Sequence, residues 1–331
     1  MHQQNILLFG ELLLRLNPQK EEFINSDNLI NIFPGGSEAN VATSLGQWNI
    51  QNSYISCIPD NELTKQILKN ISDKNVNTDK CILKDGRLGL YFLLSANGLT
   101  KGEVIYDRAH SSFFNLRPGE IDWDNLLEGH TWFHWSALTP ALNSNLAEVM
   151  EEALIAAKRK GLTISVDLNY RNRLWNYGKA PNEIMPKLVQ YCDVIMGNIW
   201  AANSMLSIPV DNTLNRESSN QEDYIKGAND SAKSLFNRYP NCKHIAYTFR
   251  FMDSPIHNLL YGTYHTPTHD YVSDSHETYQ VIDRIGSGDA FMAGLIYGLS
   301  TNKEGQELIN MATSAGFKKL FVKGDFGNGD I

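Results

Sequence analysis

The chain has little of what most quickly betrays a function. Four cysteines, Cys57, Cys81, Cys192 and Cys242, are scattered over 331 residues with no C-x-x-C pair. Such isolated thiols argue against a cysteine-built metal site and fit buried cysteines in a reducing compartment, so a cytoplasmic location is expected. Basic residues are outnumbered: 29 Lys and Arg against 37 Asp and Glu give a net charge of −8. That balance speaks against nucleic acid or a membrane surface as a partner. The apolar start "ILLFGELLLRL" is broken by Glu11 and Arg15. It is therefore read as neither a signal segment nor a membrane span, but as a first buried strand at residues 6–9. No G-x-x-x-x-G-K-[ST] or G-x-S-x-G sequence occurs, and "HETYQ" at 276–280 lacks the second histidine of H-E-x-x-H. Those absences remove the P-loop, the hydrolase nucleophile elbow and the zinc-protease helix. No internal repeat or low-complexity tract is evident.

What is present begins with "VIDRIGSGDAFMAGLIYGL", residues 281–299. Gly286, Ser287 and Gly288 carry little or no side chain, so their N–H groups can approach a ligand closely. From Ala290 onward the pattern reads as a buried helix, with Phe291, Leu295, Ile296 and Leu299 on neighbouring turns. A helix tip concentrates free N–H groups and partial positive charge, which suits an anion. Asp289 beside an anion site is odd unless it acts as a base for a hydroxyl that attacks a phosphate. The dinucleotide fingerprint is excluded, because Phe291 stands where its third glycine belongs. Gly294 and Gly298, four apart, point to close packing against another element.

Elsewhere, strand-like runs alternate with helical patterns. "GGSEANVATSLGQW" is a glycine turn opening a helix, and "SYISCI" reads as one strand. "NELTKQILKNISDKN" and residues 145–160 read as helices. "HTWFHWSAL", "LTISVDLN", "CDVIMGN" and "HIAYTF" are short apolar runs of the kind that fill a parallel sheet. This alternation predicts an α/β fold with a doubly wound, mostly parallel sheet. Residues 84–108 depart from the rhythm and read as a hairpin turning at Asn97-Gly98, a candidate lid. Residues 211–230 read as a polar loop followed by a helix start.

Taken together, "PGGSEAN", "DLNYR" and "GSGDAFMAG" make the chain resemble the PfkB/ribokinase family of carbohydrate kinases over nearly its whole length. "FGELLLRL", "YDR", "DLNYRNRLW" and "DRIGSGD" lean toward its 2-keto-3-deoxygluconate kinase (2-dehydro-3-deoxygluconokinase) branch. The resemblance implies a single ribokinase-like domain over 1–331, with a β lid from about 11–33 and 84–108 that mediates homodimerisation. It implies ATP and Mg2+ as cofactors, and phosphorylation of the terminal hydroxyl of a sugar or sugar acid. Asp289 would be the base, and the backbone of Gly286, Ser287, Gly288 and Asp289 the anion hole. Gly35, Gly36, Asn40, Tyr91, Tyr106, Arg108, Arg171 and Asp325 would hold the sugar. Asn169, Asn198 and Thr248, with Gly286 and Gly288, would face the nucleotide. Arg108 suits a carboxylate, since a neutral sugar needs no guanidinium. Arg171 could contact the sugar or the phosphates, or Asp167 and Arg171 could simply pair across a turn.

The chain departs from the resemblance on the nucleotide side. The family's N-x-x-E would place an acid at 201, where Ala201 stands, and no dedicated metal ligand is expected among the side chains. An elevated Mg2+ requirement, partly rescued by Ala201→Glu, is the corresponding expectation. The glycine of the family's "VT-L-G" strand is replaced in "AYTFRFMDS". Two alternatives stay open: a kinase for a neutral sugar such as fructose, or a sugar-binding regulator with weak or no kinase activity.

Overall fold

Parallel strands buried on both faces need apolar residues at successive positions, and this chain supplies them. In the computed structural model, which describes residues 4–20, 23–24, 29–94 and 103–331, a nine-stranded sheet organises the molecule. Six of its strands are parallel, in the spatial order His244–Phe251, Val194–Gly197, Thr163–Asp167, Trp132–Ser136, Asn5–Phe9 and Gln51–Ile55. Asn258–His265 adds antiparallel beside His244–Phe251, and the short strands Asp270–Val272 and His276–Thr278 pair with it.

The period-2 alternation of side chains sorts each parallel strand into two cores. Leu7, Phe9, Phe133 and Trp135 enter one, packed with helices Ser144–Arg159 and Gln221–Arg238. Ile6, Leu8 and Trp132 enter the other, with helices Ser37–Gln47, Ser287–Ser300 and Gly305–Lys318. The close packing expected at Gly294 and Gly298 is there. A Cβ on Gly294 would lie 2.8 Å from Ala312 Cα, and one on Gly298 would lie 2.2 Å from Leu308 Cδ1.

A separate four-stranded sheet forms the lid, in the order Ile30–Gly35, Leu13–Pro18, Gly89–Leu93 and Val104–Asp107. The last two strands are the expected hairpin; its Asn97-Gly98 turn lies outside the described residues. "SYISCI" is divided rather than continuous. Gln51–Ile55 joins the large sheet, whereas Cys57–Ile58 pairs with Ile82–Leu83, because the chain leaves the sheet edge at Ser56. The helix expected at 145–160 is Ser144–Arg159, and the polar stretch after 211 leads into Gln221–Arg238.

Candidate active site

Open α/β sheets bind ligands beyond the carboxyl ends of their strands. Here Asp167 and Gly197 end two adjacent strands and Thr248 lies in the next, one residue past its last pairing with them; all three line a cavity of about 500 Å³ beneath the lid. Every site residue expected from the sequence lines it, except Gly35. Gly35 lies just behind, where a Cβ would sit 2.3 Å from Asp325 Oδ2.

Two helices aim their N-termini at this cavity. Ser37–Gln47 begins after Gly36 and Ser287–Ser300 begins after Gly286, and neither end carries a side-chain cap. The helices that begin after Asn61, Asn143, Asn198 and Asn220 are each capped by that asparagine. The two uncapped ends therefore offer backbone donors and dipole charge to whatever enters. Gly286 needs its lack of a side chain twice over. Its φ is +82°, and a Cβ would meet the Asp325 carbonyl at 2.3 Å.

Asp289 sits in the first turn of Ser287–Ser300, with both carboxylate oxygens fixed across the cavity floor. Ser37 Oγ donates to Oδ1 at 2.7 Å, and Asn40 Nδ2 donates to Oδ2 at 2.7 Å. Asn169 Nδ2 in turn donates to Ser37 Oγ at 3.2 Å. Burial pushes the Asp289 carboxyl above the ordinary range, while Asn40, Ser37 and the charges of Arg171 and Lys319 pull it back. The result is an oriented, desolvated carboxylate, which is the state a general base requires. Among the described residues Asn40 Oδ1 is buried with no hydrogen-bond partner, an acceptor directed to an incoming hydroxyl. Ser37 was not singled out in the sequence; its position one residue into the "GGSEAN" helix was the available signal.

Two further acids share this region. Asp167 is held up at about 7 by burial and the charge of Asp289, and Glu38 at about 7, chiefly by burial. Asp167 and Arg171 do not pair across the turn. Asp167 Oδ1 accepts from the Asn169 N–H at 2.9 Å, and Arg171 donates to the Tyr170 carbonyl at 3.0 Å. Both remain directed to the cavity.

On the lid side, several expected sugar contacts are already engaged with protein. Arg108 Nε donates to Glu11 Oε2 at 2.5 Å, and both side chains are buried. Ser111 Oγ donates to the other Glu11 oxygen at 2.5 Å. Tyr91 donates to Asp325 Oδ2 at 2.5 Å. Asp325 Oδ1 lies 2.9 Å from Arg15 Nε, an ion pair outside hydrogen-bond angles. Arg15 also forks onto Asp283 at 3.1 and 2.6 Å. Asp325 thus anchors the lid strand Leu13–Pro18, and Tyr106 lies beside Tyr91 with ring centroids 6.5 Å apart.

On the other side, Asn198 caps its helix by accepting from the Ala201 N–H at 2.8 Å, and Thr248 Oγ1 donates to the Gly197 carbonyl at 3.3 Å. Trp200 and Met252, 41% and 51% exposed, form an apolar lip on the cavity. Arg250 and Arg284 line it as well, and neither was expected as a site residue.

This arrangement has close counterparts. The sequence matches the pfkB family carbohydrate kinase pattern over residues 3–227 and 274–325. The chain belongs to the pfkB family of carbohydrate kinases. It is 32% identical to the 2-dehydro-3-deoxygluconokinase of Thermotoga maritima, with a TM-score of 0.87 over 98% of this chain and 96% of that one. A PfkB family carbohydrate kinase of Listeria grayi superposes with a TM-score of 0.84 at 28% identity, over 98% of this chain and 96% of that one. The 2-dehydro-3-deoxygalactonokinase of Haloferax volcanii is 31% identical over 53% of this chain, a match that spans about half (55%) of that relative's length.

The pfkB expectation of an acid at 201 can now be placed. Ala201 is 2% exposed and packs in the apolar core with Ala202 and Met205. Its neighbour Trp200, not Ala201, lines the cavity. A glutamate there would be buried among apolar groups, so the expected rescue by Ala201→Glu has no structural basis. Among the described residues, no group of three or more His, Cys, Asp or Glu side chains is placed to hold a metal ion.

Proposed function

We propose that this protein transfers the terminal phosphoryl group of ATP to the terminal hydroxyl of a sugar acid of the 2-keto-3-deoxygluconate type. The observation that carries the reading is Asp289: buried, held by Ser37 and Asn40, and standing at an uncapped helix tip inside the cavity. Asp289 takes the hydroxyl proton as the hydroxyl oxygen forms its bond to phosphorus. The bond to the ADP oxygen breaks, and the N–H groups of the helix tip stabilise the charge that builds on the transferred group. A positioned base contributes about 10²–10⁴-fold. When bound, Mg2+ would be held largely by the nucleotide's phosphates and would offset their charge, while Trp200 and Met252 would offer the adenine ring an apolar surface.

The sugar-acid preference is supported by Arg108 and Arg171 on the cavity wall and by the deoxysugar-acid kinases among the relatives. One observation favours the neutral-sugar reading: Arg108 already has a carboxylate partner in Glu11. A coupled ADP-release assay over sugars and sugar acids tests the proposal. Turnover with 2-keto-3-deoxygluconate above that with fructose supports the acid reading; the reverse order selects the neutral one. No ADP release with any acceptor, despite sugar binding, selects a regulator.

The outer surface of the lid presents Leu29, Ile30, Ile32 and Ile105, each 36–65% exposed. That apolar surface supports a homodimer through this sheet, and light scattering on the eluting protein tests it.

A further inference from the structure

The base is held by Ser37, and Ser37 is itself held. Its Oγ donates to Asp289 Oδ1 at 2.7 Å and accepts from Asn169 Nδ2 at 3.2 Å. An amide nitrogen only donates, whereas a hydroxyl has one proton and two acceptor lone pairs. Asn169 occupies one of those lone pairs, so the Ser37 proton cannot rotate to that side, and Asp289 is the acceptor it meets. The sense of this bond matters. A hydroxyl that donates stabilises the charged carboxylate, and one that turns to accept stabilises the neutral acid. Consecutive hydrogen bonds of one sense also polarise one another.

Asn169 is placed for this contact by its own backbone. It follows the strand Thr163–Asp167 with φ at +26°, on the left-handed side that asparagine enters more readily than most residues with a side chain. The Asn169 N–H donates to Asp167 Oδ1 at 2.9 Å, the bond of an Asx turn. Asp167 is buried at the end of a strand whose register is fixed on both sides, by Trp132–Ser136 and by Val194–Gly197. A rigid strand end thus sets an unusual backbone conformation, and that conformation delivers one amide to one hydroxyl. Strain kept beside a reacting group is a sign that the side chain it places is used.

We infer that Asn169 is a positioning residue for the base: acting through Ser37, it fixes the direction of the hydrogen bond that Asp289 receives. The inference rests on the reading of Asp289 as the base. It gives Asn169 a role other than the nucleotide contact that the resemblance implies, since its amide nitrogen is engaged with Ser37. The charges that face Asp289 are those of Arg171 and Lys319, which favour its ionised form, and the acids Asp167 and Glu38 are coupled to it. Replacing Asn169 by glycine removes none of these groups.

The test is a pair of pH titrations. One follows the Asp289 carboxyl carbon by NMR in the ligand-free protein, its signal identified by its absence in Asp289→Asn. The other is the kcat/KM profile for ADP release with 2-keto-3-deoxygluconate and ATP. Asn169→Gly removes the amide, keeps the N–H that Asp167 accepts and suits a positive φ, so it should melt near the wild-type temperature. In this variant both titrations should move to higher pH, by less than in Ser37→Ala. Added to Ser37→Ala, Asn169→Gly should cause no further shift, because no hydroxyl is left to direct. Asn169→Asp, which turns the donor into an acceptor and adds a like charge, should move both titrations further than glycine does. An unmoved Asp289 titration in Asn169→Gly, or a shift as large on the Ser37→Ala background as on the wild type, overturns the inference. A raised nucleotide KM as the sole effect also overturns it and returns Asn169 to the nucleotide. A carboxyl titration that moves as stated in a protein that releases no ADP, or whose kinetic limb stays in place, upholds the positioning role and refutes the base. Normal turnover with an unmoved carboxyl titration does the reverse.

Discussion

Ser37→Ala isolates what the two donors do for the base. Ser37 Oγ reaches Asp289 Oδ1 at 2.7 Å and is not used as a helix cap, so its removal leaves the helix end as it was. Asp289 is already pushed up by burial, and the Ser37 and Asn40 hydrogen bonds oppose that push. A hydrogen bond to a charged group is worth about 1.5–3 kcal/mol, and about 1.4 kcal/mol corresponds to one pKa unit. Losing one of the two donors should therefore raise the Asp289 pKa further. The sign follows from the chemistry: the donors favour the carboxylate, and only the carboxylate can accept the hydroxyl proton. The acid limb of the kcat/KM–pH profile should move to higher pH, with little loss on the plateau above it. Ser37→Thr, which keeps the hydroxyl, should restore the wild-type limb. A uniform drop at all pH values with an unmoved limb would mean that Ser37 positions a substrate and does not tune the base.

Asp289→Asn should abolish turnover while nucleotide affinity, measured by calorimetry, stays within a few-fold of wild type; near-normal kcat would remove the base assignment. Arg108→Leu should raise KM for a sugar acid more than for its neutral analogue. It should also cost about 3–5 kcal/mol of stability in thermal or denaturant melts by leaving buried Glu11 without its cation. Pairing it with Glu11→Leu should restore stability but not the sugar-acid KM, and equal KM losses on both substrates would confine Arg108 to a structural role. Ala201→Glu should lower the melting temperature and leave the Mg2+ titration of activity unchanged, since its carboxylate would enter the apolar core; a reduced Mg2+ requirement would show that the helix opens to the cavity. Asp167, at about 7 in the folded chain against an ordinary 3.8, keeps its proton in a window where the unfolded chain has lost it. Its contribution to stability must fall as pH rises from about 4 to about 7, so Asp167→Asn should flatten the melting-temperature profile there, and an unchanged slope would refute the shift.

What could be read in advance were the features encoded within a few residues of one another. Gly286 at a positive φ, an uncapped helix behind it and Asp289 in its first turn are all local, and so is the alternation that buries Leu7 and Phe9 on one face and Ile6 and Leu8 on the other. What could not be read were partnerships that only the closed sheet creates. Ser37 meets Asp289 across 252 positions, Arg15 meets Asp283 across 268, and Tyr91 meets Asp325 across 234. Nothing near Arg108 in sequence announces that Glu11, on the link between the first strand and the lid, will neutralise it. The same limit hid Arg250, which in sequence is one polar residue in an aromatic run. Its place on the cavity wall comes from the fold, which carries its strand past the last pairing with Val194–Gly197. A local motif can thus nominate the base of this cavity, whereas the cations facing it are defined only by the three-dimensional balance of charge.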